Sequence, residues 1–368
     1  MISAGVLRNR LAGAPVALLD RLGLVPPPAA RVNYVVERAN WSIHWDGTYI
    51  CAMIDKIAPG FARTTTRPAI LARTVVHFGS HFQWLAWADA MAASNKFVTT
   101  YFHGKPEDGA DMARSVEAFL DSVPRLARIV TAAGVVENRL LSWGVPRDKL
   151  VRIPIGVDLA RFKPASESQR NQARARYGIR SDHLCIGSFQ KDGVGWGSGD
   201  EPKLIKGPDV LLAVIEKVAN IRPVFVLLTG PARGYVKRGL ERLRVPYAHE
   251  HLDDYMSIAG MYPALDVYLN PSREEGGPKG ILEAMASGVP VVSTRVGMAP
   301  DLIVHEVNGM LAEPDDAAAL AAGIISLAEA SAASRERVRN EALRAVQGCD
   351  WTAVARRHLE EVYRPLVA

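Results

Sequence analysis

Strand-like and helix-like segments alternate along most of the 368-residue chain. Four runs in the first half are rich in β-branched and aromatic residues: "RVNYVVE", "ARTVVHFGS", "KFVTTYFHG" and "ARIVTAA". Helix-forming stretches such as "DMARSVEAFLDSV" lie between such runs, and the alternation resumes at "LCIGSFQ". Strands that alternate with helices favour parallel sheets with helices on their faces, so the sequence predicts an α/β fold.

A polar stretch, "KPASESQRNQ", interrupts the alternation near the middle of the chain. Because the chain is also long enough for two domains of ordinary size, we predict two doubly wound, Rossmann-like domains. The expected divisions are an N-terminal extension over residues 1–30, a first domain over 31–165, a second over 180–350 and a C-terminal helix over 351–368.

The composition argues against several classes of protein. An apolar fraction of 48% and a charged fraction of 23% are those of a globular chain. Cys51, Cys185 and Cys349 lie far apart with no CxxC spacing, which argues against a disulfide framework or structural zinc and favours a reducing, cytoplasmic compartment. The net charge of +5 comes without a dense basic block, so no nucleic-acid partner is predicted.

The N-terminal stretch "VLRNRLAGAPVALLDRLGLVPPPAA" superficially resembles a signal peptide, because Arg8 and Arg10 precede a short apolar run. Asp20 and Arg21 interrupt that run, so we predict instead a short amphipathic segment that ends at residues 26–28. Such a segment could pack on the protein, which is the preferred interpretation, or make peripheral contact with the inner face of a membrane.

A glycine-rich turn lies between two glutamates in "PSREEGGPKGILEAMASGVPVVS", residues 271–293. The preceding "DVYLN" is strand-like, "ILEAMAS" is helix-like, and "VPVVST" is again strand-like. Glu275 precedes the turn and Glu283 lies in the helix, with seven residues between them. A strand, turn and helix in this order place the turn at the carboxyl end of a parallel strand, where α/β sheets bind ligands.

The turn is suited to an anionic ligand. Gly276, Gly277 and Gly280 let backbone approach a ligand closely, and the first amides of a helix that begins near Pro278 lack an internal partner, which suits a phosphate. One carboxylate could accept sugar hydroxyls and the other a ribose diol. An isolated pair of glutamates is more often a turn residue and a surface helix residue, so the ligand site depends on the whole segment.

The longer segment "PSREEGGPKGILEAMASGVPVVSTRVGMAPDLIVHEVNGMLAEPDD" resembles the donor-binding core of the retaining glycosyltransferases of GT-B fold, family 4. "KGPDVLL", "DKLVRIPIGVDLARFKP" and "VTTYFHG" resemble further segments of that family, so the resemblance covers most of the chain from about Val32. It implies two Rossmann-like domains that face a central cleft, with the C-terminal helix returning to the first domain.

The resemblance also implies a role for each matching residue. Lys206 would lie against the donor diphosphate, and His103 would contact the transferred sugar near the reacting carbon. Glu275 would hold sugar hydroxyls and Glu283 the ribose. The remaining donor-binding positions would be Gly276, Gly277, Pro278, Lys279 and Gly280.

Two segments depart from the family pattern. The arginine usual after the first strand of the second domain is missing from "GSFQKDGVGWGSGDEPKLIKG", which has Ser188 near that position and a glycine-containing insertion. Lys191 or Lys203 could replace it, and we select Lys191. The usual glycine-rich loop of the first domain is replaced by "RANWSIHWDG", which leaves the acceptor open.

Aromatic and histidine residues give weaker indications of binding sites. Four tryptophans could stack on sugar faces or pack in the core: Trp41, Trp45, Trp84 and Trp87. His77 and His81 are four residues apart, but they flank a predicted strand end, so the spacing does not indicate a metal site. His249 and His251 are predicted to lie in the loop after "VPY", and the family resemblance implies that this loop lies near the nucleotide base.

The chain has no Asp-x-Asp triplet, so no metal and no other cofactor is expected. The resemblance implies a retaining, metal-independent transferase that moves a sugar from a nucleotide-diphosphate sugar to a hydroxyl acceptor in polysaccharide or glycoconjugate synthesis. The acceptor could be a glycan, a lipid-linked sugar or a small molecule. Two alternatives stay open: a non-catalytic relative that binds nucleotide sugars or glycans, and a sugar-nucleotide epimerase.

Overall fold

A computed structural model describes residues 4–26, 28–37 and 42–367. Its strands are β1 Val32–Val35, β2 Ala62–Thr65, β3 Val75–Phe78, β4 Lys96–Thr100, β5 Leu126–Thr131, β6 Leu150–Arg152, β7 Leu184–Phe189, β8 Val224–Thr229, β9 Tyr247–Glu250, β10 Val267–Asn270, β11 Val291–Thr294 and β12 Met310–Ala312. Its α-helices are α1 Ala4–Arg21, α2 Ser42–Ile57, α3 His81–Trp87, α4 Ala110–Ser122, α5 Gly134–Ser142, α6 Glu167–Arg176, α7 Pro208–Ala219, α8 Gly234–Leu243, α9 Lys279–Ala286, α10 Ala299–Leu302, α11 Ala317–Glu329, α12 Ala332–Ala345, α13 Trp351–Arg357 and α14 Arg364–Val367.

The first compact unit consists of residues 1–156 together with 351–368. Its sheet has the strand order β2-β1-β3-β4-β5-β6, and all neighbouring strands pair in parallel. All residues of β1 and β3 are buried, as expected for central strands covered by helices on both faces.

The second compact unit consists of residues 157–350. Its parallel sheet has the order β12-β11-β10-β7-β8-β9, and β7 and β8 are buried along their whole length. Val214 and Ile215 of α7 belong to the same apolar core as Leu320 and Ile324 of α11. The prediction of an α/β protein with two doubly wound parallel sheets is confirmed.

The first unit is formed by two separate parts of the chain. Its first part ends at Gly156, and the residues from 351 onward also belong to it. A Cβ atom on Gly156 would lie only 2.2 Å from the Trp351 ring, and that ring stacks on Tyr49 with centroids 5.0 Å apart. The predicted extension over residues 1–30 contains α1, which packs on the same unit.

The segment between β9 and β10 contains a short 3₁₀ helix, Tyr255–Gly260. The Asp254 carboxylate caps its start by accepting a hydrogen bond from the Met256 amide at 3.1 Å. His249 lies in β9 rather than in a loop, and its Nε2 lies 2.8 Å from the Gly230 carbonyl oxygen.

No single helix of the described residues has the length and apolar character required to cross a membrane. The pair Ala317–Glu329 and Ala332–Cys349 meets that requirement only when taken together, and the two helices are bent by 117°.

Candidate functional site

The glycine-rich turn connects β10 to α9 at the carboxyl edge of the second sheet. Ser272 anchors its first residues, since the Ser272 backbone oxygen accepts a hydrogen bond from the Thr294 hydroxyl at 2.5 Å. At the start of α9, a Cβ atom on Gly280 would lie 2.0 Å from the Tyr268 hydroxyl oxygen. A glycine at this position therefore allows the turn to lie directly against the sheet.

Glu275 and Lys206 form an ion pair at this edge. Lys206 Nζ lies 2.6 Å from Glu275 Oε1, and the two side chains are 19% and 11% exposed. The Ser272 hydroxyl also donates to Glu275 Oε1, at 3.0 Å. Gly207 follows Lys206 with a φ of +64°, and a Cβ atom there would lie 2.1 Å from the Pro271 carbonyl oxygen. This close approach of two loops brings together two of the residues that the sequence selected.

Two further lysines lie in the same electrostatic environment. Burial lowers the pKa of Lys203, and the nearby charges of Lys206 and Lys191 lower it further, whereas Glu275 raises it. Lys191 Nζ lies 4.4 Å from the centroid of the Trp196 ring, within cation–π distance. Lys203 thus lies near two other lysines as well as Glu275, and this concentration of positive charge suits an anionic ligand.

Glu283 is buried in α9 between two tyrosines, with an exposed fraction of 5%. The Tyr262 hydroxyl donates to Glu283 Oε2 at 2.7 Å, and the Tyr255 hydroxyl donates to Oε1. Burial raises the pKa of Glu283, while the two tyrosine hydrogen bonds and the charge of Lys279 act in the opposite direction. Because each carboxylate oxygen has two lone pairs, both oxygens keep capacity for another donor.

His103 lies in the first unit, three residues after β4, and is half-buried. Its neighbour His81 is buried and stacks on Tyr101, with ring centroids 4.1 Å apart. Burial first, and the nearby His103 second, lower the pKa of His81 to about 3. His103 thus lies beyond the carboxyl end of its strand, the edge at which parallel sheets bind ligands.

The tryptophans selected from the sequence differ in their environments. Trp84 is fully buried and its Nε1 donates to the Ser122 hydroxyl at 2.8 Å, so it packs in the core and is not available for sugar stacking. Trp45 and Trp87 are half-buried, and Trp41 lies outside the described residues. Trp196, which sequence reasoning missed, is 63% exposed in the insertion. The sequence feature that could have identified Trp196 is a large aromatic residue flanked by two glycines.

Arg233 is a second residue that the sequence did not single out. Its Nη1 donates to the carbonyl oxygens of Ser188 at 2.7 Å and Gln190 at 2.8 Å, and its Nε lies 3.0 Å from Asp192 Oδ1. Both members of the Arg233–Asp192 ion pair are buried. A guanidinium therefore does lie at Ser188, but it comes from the loop after β8 and holds backbone in place.

His77 lies in β3 and is fully buried. Its Nδ1 lies 2.7 Å from the Tyr363 hydroxyl and its Nε2 lies 2.9 Å from the Thr100 hydroxyl, so both ring nitrogens have hydrogen-bond partners. Within residues 4–26, 28–37 and 42–367, no group of three or more histidine, cysteine, aspartate or glutamate side chains is arranged to hold a metal ion.

Sequence comparison supports the architecture described above. Residues 197–330 match the family model for glycosyl transferases group 1. The D-inositol 3-phosphate glycosyltransferase of Pseudarthrobacter chlorophenolicus is 30% identical over 253 residues, which cover 64% of this chain and 56% of that protein. Its counterpart from Saccharomonospora viridis is 29% identical over 204 residues, 51% of this chain and 44% of that one. The chain thus spans about half the length of the curated relatives it matches.

Solved structures show the same fold. Anabaena HepE in complex with UDP and glucose has a TM-score of 0.73 at 17% identity, covering 91% of this chain and 100% of that one. The sucrose-phosphate synthase of Thermosynechococcus elongatus also has a TM-score of 0.73 at 17% identity, with coverages of 91% and 99%. Residues 197–330 are thus similar to glycosyl transferases group 1, and the chain has the two-sheet GT-B fold of these solved structures. Membership of family 4 stays a prediction.

Proposed function

We propose that this protein transfers a sugar from a nucleotide-diphosphate sugar to a hydroxyl acceptor, with retention of anomeric configuration and without a metal ion. The observation that carries the proposal is the Lys206–Glu275 pair beside the glycine-rich turn, with Lys191 and Lys203 nearby. The excess positive charge there would neutralise the donor diphosphate. Solved complexes of HepE contain UDP or UDP-glucose, which supports a nucleotide sugar as the donor class.

Donor binding would exchange the partner of each member of the ion pair. The diphosphate would take over the Lys206 ammonium, and Glu275 Oε1 would then be free to accept a hydroxyl of the sugar. Lys206 acts on the charge that builds up as the diphosphate leaves, and such contacts are worth about 3–4 kcal/mol of activation free energy. The ground-state pair therefore holds both side chains in place before the donor arrives.

The other predicted residues have separate roles in this proposal. Glu283 accepts hydrogen bonds from the ribose hydroxyls, and Tyr255 and Tyr262 fix the orientation of its carboxylate. The turn from Gly276 to Gly280 holds the phosphate or the sugar. We assign His103 to the transferred sugar.

The reaction breaks the bond between the anomeric carbon and the diphosphate oxygen. A bond from the acceptor oxygen to the same carbon forms on the same face of the sugar. The acceptor proton passes to the departing phosphate oxygen, so atoms and charge balance without a cofactor. Glu283 is assigned to the ribose and Glu275 to the sugar hydroxyls, so neither carboxylate is assigned this proton.

The test is a thermal-shift screen of the protein with UDP-, GDP- and ADP-sugars in the presence of a chelator, followed by measurement of released nucleotide diphosphate. We expect one donor to stabilise the protein and to be consumed slowly, and NMR of the product to show a retained anomer. A requirement for added metal, or an inverted product, would contradict the proposal. Binding without release would identify a binding-only relative, and an epimerised nucleotide sugar would identify an epimerase.

The acceptor is tested by adding candidate hydroxyl compounds to the active donor. The curated relatives are named for inositol 3-phosphate, so a phosphorylated polyol is one arm of the panel, beside oligosaccharides and lipid-linked sugars. The compound that accelerates nucleotide release identifies the acceptor class. The three cysteines are free and buried, which supports placing the reaction in a reducing, cytoplasmic compartment.

A further inference from the structure

Helix α1 packs on the first unit through one face, which we call its inner face and which contains Asn9, Gly13 and Asp20. Asn9 Nδ2 donates to the Ala86 carbonyl oxygen at 2.9 Å, and a Cβ atom on Gly13 would lie 1.8 Å from the Ala90 carbonyl oxygen. Asp20 Oδ1 accepts a hydrogen bond from the Ser94 hydroxyl at 2.8 Å. Because these contacts are spread along the helix from Asn9 to Asp20, they fix its rotation about its own axis.

Four leucines form a row on the opposite side, which we call the leucine stripe. Leu7, Leu11, Leu18 and Leu22 are 55%, 69%, 59% and 61% exposed. Leu22 follows the last residue of α1, and its amide donates to the Leu18 carbonyl oxygen at 3.2 Å, so it continues the helical turn. With about 100° between successive residues, the four leucines fall within about 60° of one another and roughly opposite the inner face.

The apolar surface continues beyond the helix. Leu24 is 65% exposed, and Ile70, across the adjoining groove, is 60% exposed. The groove has a volume of about 250 Å³, and its lining includes Leu19, Val25 and Ile70. Exposed apolar side chains on the helix, on the residues that follow it and at the groove together mark an interaction site rather than an ordinary solvated helix.

Arginines lie on both sides of the leucine stripe. Arg8 is exposed on one side, and Arg10 and Arg21 are exposed on the other. Arg10 pairs with Asp89 at 2.5 Å. Both side chains are exposed, so a phosphate could replace Asp89 as the partner of Arg10. The one acidic residue of the helix, Asp20, belongs to the inner face, and its side chain is 8% exposed. The outward side of α1 therefore combines leucines with positive charge.

We propose that α1 docks the protein on an anionic membrane surface, lying in the plane of the interface. The leucine stripe enters the boundary between headgroups and acyl chains, and Arg8, Arg10 and Arg21 contact lipid phosphates. Charge complementarity favours this occupant, because arginines border the apolar row on both sides and the helix offers no outward carboxylate. The proposal does not depend on the transferase activity, since α1 acts here only as an anchor.

The experiment measures co-sedimentation of the full chain with vesicles of phosphatidylcholine alone or mixed with phosphatidylglycerol, without donor. The matched variants are Leu11→Glu/Leu18→Glu and, as a control in the second unit, Ile221→Glu/Val304→Glu, whose original side chains are also exposed at 63% and 60%. We expect the unmodified protein and the control to bind the anionic vesicles in a salt-sensitive manner. The stripe variant should bind at least about tenfold more weakly.

Arg8→Ala/Arg21→Ala should reduce binding at low salt and reduce its dependence on phosphatidylglycerol. Equal melting temperatures would show that each variant is folded, since the substituted side chains are exposed. Equal vesicle binding by the stripe variant and the control would overturn the proposal. Self-association that the leucine substitutions abolish, in a protein that does not bind vesicles, would also overturn it and identify a second copy of the chain as the occupant.

Discussion

The two units contain the same kind of sheet, but the residues beyond the carboxyl ends of their strands differ in chemistry. Both sheets have six parallel strands. The second has a glycine-rich turn with a lysine–glutamate pair and two more lysines in its environment. The first has a buried histidine beyond β3, His81, and burial together with the nearby His103 lowers its pKa to about 3. The two sheets place their connecting loops at equivalent edges, and the residues of the loops determine which charged groups lie there.

The largest expected loss of stability comes from breaking the buried Arg233–Asp192 ion pair of the second unit. Replacing Arg233 with Met leaves Asp192 buried without a cation and removes hydrogen bonds from the carbonyl oxygens of Ser188 and Gln190. The free energy of unfolding should fall by about 3–5 kcal/mol, measured by urea denaturation.

The control for this substitution is Arg238→Met, because Arg238 pairs with Asp200 on the surface, where both side chains are about half exposed. That change should cost no more than about 1 kcal/mol. Arg233→Met/Asp192→Leu should recover part of the lost stability, since it removes the unpaired charge as well. Equal losses for the two single variants would show that the buried pair has no special structural role.

Lys206→Ala should have the next largest effect, on turnover rather than on stability. Removing a charge that acts on the leaving diphosphate should lower kcat about 10²–10³-fold at saturating donor. Lys217→Ala, an exposed lysine in α7, is the matched control and should leave kcat unchanged. If Lys206→Ala raises KM alone, Lys206 binds the donor and the transition state equally, and its catalytic assignment is wrong.

A third prediction concerns the fit of the turn against the sheet. In Gly280→Ala the new methyl group would lie 2.0 Å from the Tyr268 hydroxyl oxygen, so the start of α9 or the tyrosine must move. We expect a loss of about 1–3 kcal/mol in the free energy of unfolding and weaker donor binding. A Cβ atom on Gly260 would have nothing within 4 Å, so Gly260→Ala should be close to neutral. Similar donor affinity in the two variants would argue against the turn as a donor site.

The sequence allowed the strand, turn and helix of residues 267–293 to be predicted because each element carries its own local signal. Contacts between distant segments have no such signal. Lys206 and Glu275 were selected by resemblance, but their contact depends on the close approach of Gly207 to Pro271. Arg233 was missed because only the folded chain shows that its charge is buried against Asp192.

The same reasoning applies to the first unit. The apolar run of the N-terminal segment gave no indication of which side of α1 would pack, since apolar residues lie on several of its faces. The close contact of Gly13 with Ala90 determines which side of α1 packs, and that contact exists only in the folded chain. Likewise, the sequence left Trp84 open to either sugar stacking or core packing, and only the folded chain shows that it is buried in the core.

The smallest predicted effect is a pH dependence that belongs to the first unit. His81 is neutral when folded because its pKa is about 3, whereas an unfolded histidine has a pKa of about 6.5. The unfolded state therefore binds more protons between these two values, so stability is fully present above about pH 6.5 and is lost as the pH falls. Each such histidine contributes up to about 1.4 kcal/mol per pH unit.

His81→Phe should make the stability of the first unit less dependent on pH between about pH 6.5 and pH 5. The aromatic neighbours of His81, which are Phe82, Tyr101 and Phe119, can accept a phenyl ring, and neither ring nitrogen of His81 has a hydrogen-bond partner to lose. His251→Phe, at an exposed position of the second unit, should leave the pH dependence unchanged. Urea denaturation at several pH values, followed by tryptophan fluorescence, measures the pH dependence of stability in both variants. An unaltered slope in His81→Phe would mean that the buried histidine is protonated in the folded protein, and the contrast between a neutral and a charged sheet edge would fail.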